Sequence, residues 1–272
     1  MTFAANRQTM NMSFRQYGIV GQIVTVIIAS ALISSCKDSG RFKSETPSGK
    51  DASSPSTVHA SLRENVLTAA EQKTLTPDKV ILDLKESNKQ YVENHLTAND
   101  YIGMMHSSAK GQYPEAFILS CIDSRVPVEE VFNKAIGDVF VGRVAGNFVD
   151  EDMLGSMEYA CKVSGAKLIV VMGHESCGAI KAAIENEELG NITAMLSKIK
   201  PALEMSTDFV GERTIENHTF VERIVKNNVT NTIHTIPLKS PVLKEMLDKG
   251  EIKIIGAYYS FETGEVSFLD AK

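Results

Sequence analysis

Hydrophobic and polar positions divide the chain into three regimes. Ile19 to Ile33 is mostly apolar and is closed by Ser34-Ser35-Cys36. From Lys37 to about Thr57 the sequence is rich in Ser, Lys, Gly and Pro, with almost nothing to bury. Such a stretch reads as a flexible tether. From about Ser61 onward short apolar runs alternate with amphipathic segments. Thr76-Pro77-Asp78 has Thr as cap and Pro at the first helical position, and predicts an amphipathic helix to about His95. A shorter helix or turn is expected over Tyr101–His106. Ala116-Phe117-Ile118-Leu119 and Leu168-Ile169-Val170-Val171-Met172 are uninterrupted apolar runs of strand length, the pattern of buried strands. Asp138–Val141 and Ile252–Ser260 predict further strands, and Thr263-Gly264 turns the chain into a last one at Val266–Leu269. Helices are expected over Pro127–Asn133, Met153–Ser164, from about Cys177 through Ala183, and over Pro241–Lys249. The 191–235 stretch reads as polar helices and loops interrupted at Pro201. Strands alternating with helices predict one α/β domain, a mostly parallel β-sheet flanked by helices.

Composition changes little in that picture except at the N-terminus. The chain has 272 residues, 43% hydrophobic and 23% charged, enough for a substantial core. Residues 1–35 carry Arg7 and Arg15 and no acid. A basic start, a short apolar stretch and small residues before a cut site make a secretory signal, and the stretch falls short of the ~20 residues of a spanning helix. With Cys36 at the cut site it resembles a bacterial lipoprotein signal. That organisation is 1–35 signal peptide, 36–60 tether and 61–272 folded domain, with Cys36 lipidated. The protein is then exported, as a periplasmic or outer-membrane or cell-surface lipoprotein. Removing the two arginines takes the net charge from −6 to −8. That sign argues against nucleic acid and anionic bilayers as partners, so membrane attachment is expected through the lipid anchor alone.

The chemistry gathers at two strand ends. Cys121-Ile122-Asp123-Ser124-Arg125 follows the first apolar run, and His174-Glu175-Ser176-Cys177 follows the second. On an extended chain, alternate residues share a face, so Cys121, Asp123 and Arg125 are expected side by side. Ligand sites of open α/β sheets lie beyond the carboxyl ends of the strands. Two Cys and one His form a three-ligand zinc set with a fourth position open for chemistry. Asp123 is placed to accept a proton there, with Arg125 holding it ionised through a forked pair. Other readings of the same residues are a Cys121–Cys177 disulfide, a structural zinc site, and a site closed by Asp123 itself. Glu175 is a rival carboxylate or a solvent-facing one. Cys161, in a helical pattern, reads as a small buried side chain.

Taken together, Cys121-x-Asp123-x-Arg125 with Val126-Pro127, and Gly173-His174-x-x-Cys177-Gly178-Ala179, resemble the β-class carbonic anhydrases. The likeness extends through Gly137–Val141, Ala145-Gly146-Asn147, Glu158-Tyr159-Ala160, Gly256–Tyr259 and Thr263-Gly264, and covers roughly residues 61–272. It implies a β-carbonic anhydrase-like fold with a helical N-terminal arm. It also implies zinc-dependent, reversible hydration of carbon dioxide to bicarbonate and a proton by way of zinc-bound hydroxide. By position, Cys121, His174 and Cys177 hold one zinc and Asp123 with Arg125 forms the catalytic dyad. Gln112, Phe140, Ala145 and Tyr159 contact substrate. A homodimer or higher homo-oligomer is implied, with the 76–95 helix wrapped on the partner. Where some bacterial members have a tryptophan of an inhibitory bicarbonate pocket, this chain has Ile118 and no Trp anywhere. The same site would suit carbonyl sulfide or carbon disulfide, and a surface zinc-binding lipoprotein would need no Asp123–Arg125 pair.

Overall fold

The structure, a computed structural model, describes residues 62–269. The expected signal peptide, tether and Cys36 lie outside the described residues. Five strands form one sheet: β1 (Ala116–Ser120), β2 (Val139–Arg143), β3 (Leu168–His174), β4 (Lys253–Tyr259) and β5 (Val266–Leu269). Their order is β2-β1-β3-β4-β5; the first four are parallel and β5 is antiparallel to β4. The helices are α1 (Ala69–Thr74), α2 (Pro77–Val92), α3 (Tyr101–Ser108), α4 (Val128–Val131), α5 (Glu151–Glu158), α6 (Gly178–Ile184), α7 (Gly190–Leu196), α8 (Lys200–Glu204), α9 (His218–Lys239) and α10 (Pro241–Asp248).

The period-two alternation of the strands sorts the core into two layers. Phe117 and Leu119 of β1, with Ile169 and Val171 of β3, face α5, α9 and α10. Ala116 and Ile118, with Leu168, Val170 and Met172, face α2 and α4. Both faces are covered, which is why β1 and β3 read as unbroken apolar runs. Thr76 caps α2 by accepting from the Lys79 amide, with Pro77 in the first turn. The expected 76–95 helix is therefore present, and its fully buried Val80 and Leu84 dock it on this chain's own sheet. Asp150 caps α5, which starts ahead of Met153 and passes at Tyr159–Val163 into a single π-helical turn.

One stretch departs from the reading of its sequence. Residues His218–Lys239 form a 22-residue helix, and Pro201 lies in the first turn of α8, where a proline costs no hydrogen bond. The buried face of α9 holds Phe220, Val221, Ile224, Val225, Val229 and Ile236, but also Asn228 and Thr232, and Pro237 falls in its last turn. Two polar residues in the apolar stripe disguise its period. Among the described residues, no helix is long and apolar enough to cross a membrane.

Candidate metal centre

β1 and β3 are adjacent and parallel, so their carboxyl ends open at the same edge of the sheet. Cys121 follows the last residue of β1, His174 ends β3, and Cys177 sits at the start of α6. Their ligand atoms lie within 4.8 Å of one another, and all three residues are buried. The two sulfurs are 4.0 Å apart and both cysteines are free, so the pair is not a disulfide.

Electrostatics show what this trio lacks. His174 is fully buried, its Nδ1 faces the Glu175 carbonyl oxygen at 2.8 Å, and its Nε2 has no hydrogen-bond partner. An imidazole that donates from Nδ1 to a carbonyl presents the Nε2 lone pair outward, the orientation of a metal ligand. The hydrogen bond from Cys177 holds the Cys121 thiol well below its ordinary range, and the amide of Gly146 adds a contact at 3.4 Å. That same hydrogen bond, together with burial, pushes Cys177 up. Two buried sulfurs this close share one proton when left alone. A divalent cation between them removes the penalty of ionising both, and with one neutral imidazole the set has no net charge. The residues fit a single zinc, with one tetrahedral position left over.

The dyad forms, though not by strand alternation. β1 ends at Ser120, and Asp123–Val126 make a turn in which the Val126 amide donates to the Asp123 carbonyl at 3.1 Å. Asp123 Oδ1 accepts from the backbone amide of Arg125 at 3.0 Å and from its Nε at 2.9 Å; Oδ2 accepts from Nη2 at 2.8 Å. Arg125's hydrogen bonds hold the Asp123 carboxyl down to about 2 against partial burial, so it is a carboxylate at neutral pH. Oδ2 is 3.9 Å from His174 Nε2 and so borders the position a metal would occupy. Arg143, at the end of β2, donates to the carbonyl oxygens of Cys121 at 2.8 Å and Asp123 at 2.6 Å and so fixes the loop.

The remaining expected site residues divide. Ala145 lies in the turn after β2, whose Val144 amide donates to Ser120 at 3.1 Å, and so stands beside Cys121. Gln112 is exposed and precedes β1, at the opposite end of that strand from Cys121. Phe140 pairs in register with Phe117 and meets Tyr159 edge-on at 6.3 Å, again away from this chain's own cysteines. Glu175 is neither a rival base nor a free surface group. Its Oε2 accepts from Ser260 Oγ and from the amides of Phe261 and Glu262 at 2.8–3.2 Å, tying the turn after β4. Burial alone would raise its carboxyl; those hydrogen bonds outweigh it and hold the group below its usual range.

Gly146 is a position where glycine is required. Its φ is +82°, and a Cβ there would lie 2.5 Å from Ile199 Cδ1. Its carbonyl accepts from Asn228 of α9 at 2.7 Å. Asn228 and Phe261 escaped notice because they lie about a hundred or more residues from the first cysteine. The only local trace of either was a polar residue at a core position of α9 and a turn after β4.

A family model described as carbonic anhydrase matches residues 116–266. Carbonic anhydrase 2 of Mycobacterium tuberculosis is 31% identical over 193 residues, covering 69% of this chain and 90% of that protein. Among solved structures, the β-carbonic anhydrase CafA of Aspergillus fumigatus superposes with a TM-score of 0.56 at 26% identity, covering 72% of this chain and 91% of that one. One of the two tetrameric β-carbonic anhydrases of Sordaria macrospora superposes with a TM-score of 0.56 at 24% identity, covering 71% and 97%.

Proposed function

The chain belongs to the carbonic anhydrase family, in its β-class, and from that membership we infer the reaction it performs: zinc-dependent, reversible hydration of carbon dioxide to bicarbonate and a proton. The observation that carries this reading is the buried Cys121–His174–Cys177 trio bordered by an ionised Asp123. Zinc in that trio supplies a Lewis acid that makes a water molecule acidic near neutral pH, and so a nucleophile. The chain's own residues do the rest. Asp123 Oδ2 is a fixed acceptor at the open position, able to hold the reacting water's hydrogen and keep its lone pair turned toward carbon dioxide. Arg125 occupies the carboxylate's other lone pairs and keeps it from swinging inward. Cys121, His174 and Cys177 are 4%, 0% and 1% exposed, so the three ligands are themselves shielded from bulk water.

The roles of Gln112, Phe140 and Tyr159 are proposed as roles at the site of a second copy. Three observations support this: Gln112 stands at the wrong end of β1 for its own cysteines, β2 is an edge strand of half-buried apolar residues, and Tyr159 is 52% exposed beside it. An apolar strand edge invites pairing with another chain. A homo-oligomer built along β2 is the arrangement proposed, and light scattering that finds only monomer under assay conditions would overturn it. Export and anchorage through Cys36 are proposed on the sequence of residues 1–36 alone.

The deciding experiment is stopped-flow carbon dioxide hydration by the zinc-loaded protein and by Asp123→Ala. The unmodified protein should be active, and the variant should keep one zinc per chain and lose about 10²-fold or more in rate, the scale of a positioned proton acceptor. Full activity in Asp123→Ala would defeat the mechanism. Inactivity of the unmodified protein with zinc bound would favour carbonyl sulfide or carbon disulfide as substrate.

A further inference from the structure

The Asp123–Arg125 fork is weakly sheltered. The Arg125 side chain is 56% exposed, and an ion pair in that setting is ordinarily worth little and opens readily. A guanidinium also offers several edges and rotates freely about its stem. Yet the fork presents the Nε–Nη2 edge to Asp123 in a two-point contact, with both bonds below 3.0 Å. Something must set the plane of that group.

The group beneath it is Phe261. The Arg125 guanidinium carbon lies 4.2 Å from the centre of the Phe261 ring. The same ring is 5.2 Å from the His174 imidazole, centre to centre, and meets Tyr259 edge-on at 5.6 Å. Its backbone amide donates to Glu175 Oε2 at 2.8 Å. Glu175 is the residue whose carbonyl oxygen faces His174 Nδ1. One residue therefore orients the metal-ligand imidazole through its carbonyl and, through its carboxylate, pins the turn that carries Phe261 under the dyad.

We propose that Phe261 is a positioning residue of this enzyme: its ring, anchored by Glu175, holds the Arg125 guanidinium in the plane that keeps Asp123 forked and directed at the reacting water. The inference rests on the reaction assigned above. The ring face attracts the cation and leaves its Nε–Nη2 edge free for the carboxylate, so stack and fork reinforce each other. Loss of one such contact at an exposed site shifts the closed-to-open ratio of the dyad about two- to fivefold. At so exposed a fork the open form is already populated, and the shift carries into the rate.

The test compares the unmodified full chain with Phe261→Leu and Phe261→Tyr, zinc-loaded and zinc-free. In the loaded enzymes, Phe261→Leu should lower kcat for carbon dioxide hydration about two- to fivefold at unchanged KM and unchanged zinc content, and Phe261→Tyr should retain the unmodified kcat. In the zinc-free protein, the Arg125 Nε–H proton should resonate upfield of the other arginines through ring-current shielding. It should lose that displacement in Phe261→Leu and keep it in Phe261→Tyr. A full kcat in Phe261→Leu would overturn the proposal. So would an Arg125 proton at the ordinary position in the unmodified protein, a measurement that stands even if the leucine variant folds poorly. Absence of hydration by the unmodified enzyme counts against the assigned reaction instead, and the resonance then decides between stacking and no stacking on its own.

Discussion

Replacing Lys134 by Met should destabilise the fold heavily and leave the metal centre's chemistry alone. Lys134 Nζ lies 2.8 Å from Glu115 Oε1 and 2.5 Å from Asp83 Oδ2, with side-chain exposures of 9% for Lys134 and 7% for Glu115. Glu115 immediately precedes β1, and its backbone binds Asp138 and Lys167, so it cannot move out to water without unzipping three strands at their amino ends. Removing one partner of a buried pair typically costs about 3–5 kcal/mol, because the other charge stays behind. At about 2–4 °C per kcal/mol for a domain of this size, Tm should fall by about 6–20 °C at fixed protein concentration. The pH dependence has a definite sign. Burial already pushes the Glu115 carboxyl up, with Lys134 opposing it, so loss of Lys134 raises it further. A carboxyl whose folded value is raised binds its proton more tightly in the native state, and stability falls as pH climbs above about 4.3, the unfolded value. The deficit of Lys134→Met against the unmodified protein should therefore be small near pH 5 and largest near pH 8. Glu115→Gln added to it should recover much of the loss. Thermal unfolding at the two pH values decides the matter: a fall below about 2 °C at pH 8, or a deficit that shrinks as pH rises, refutes the reasoning.

Two further outcomes follow from the cysteines. Stripping the metal with a chelator should leave Cys121 and Cys177 with sulfurs 4.0 Å apart, one of them strongly ionised. Mild oxidant should then remove 2 Da by closing a disulfide, about the mass of two hydrogens, while the zinc-loaded protein should stay unchanged; equal oxidation of both forms would show that the trio does not hold zinc. At the other end of the chain, mass spectrometry of protein recovered from bacterial membranes should find an acylated Cys36 as the first residue, and an intact Met1 or an unmodified Cys36 would remove the anchor.

How far the sequence can be read depends on how locally each feature is made. β1 and β3 are buried on both faces, so their residues need only be apolar and of strand length, and both were legible. The start of α2 was legible because Thr76 and Pro77 act within one turn. α9 was not, since what makes Asn228 tolerable in its core face is the carbonyl of Gly146, 82 residues away. The π-helical turn at Tyr159–Val163 had no local signature either. The metal trio was legible from two strand ends and the residue types that follow them. Strand alternation predicts that Asp123 and Arg125 share a face; they do meet, but through a turn in which a backbone amide joins the fork, and not through the pleat of a strand.

That distinction bears on what makes a metal site of this kind. Cys121 and Cys177 come together at the adjacent ends of β1 and β3, and the Gly146 amide that reaches the first sulfur is aimed by a left-handed turn whose carbonyl is held by α9. His174 shows its free nitrogen because the Glu175 carbonyl takes the other one, and Glu175 stays in place because the turn after β4 donates three hydrogen bonds to its carboxylate. Cys121 and His174 are thus oriented through elements that arrive late in the chain. A fragment ending before α9 would carry every ligand and both dyad residues and still lack the groups that aim Cys121 and His174. Outer partners of this kind commonly contribute one to two orders of magnitude in affinity or activity. The short motifs supply the candidate ligand and dyad atoms; the long-range hydrogen bonds to Gly146 and Glu175 hold those atoms where the structure places them.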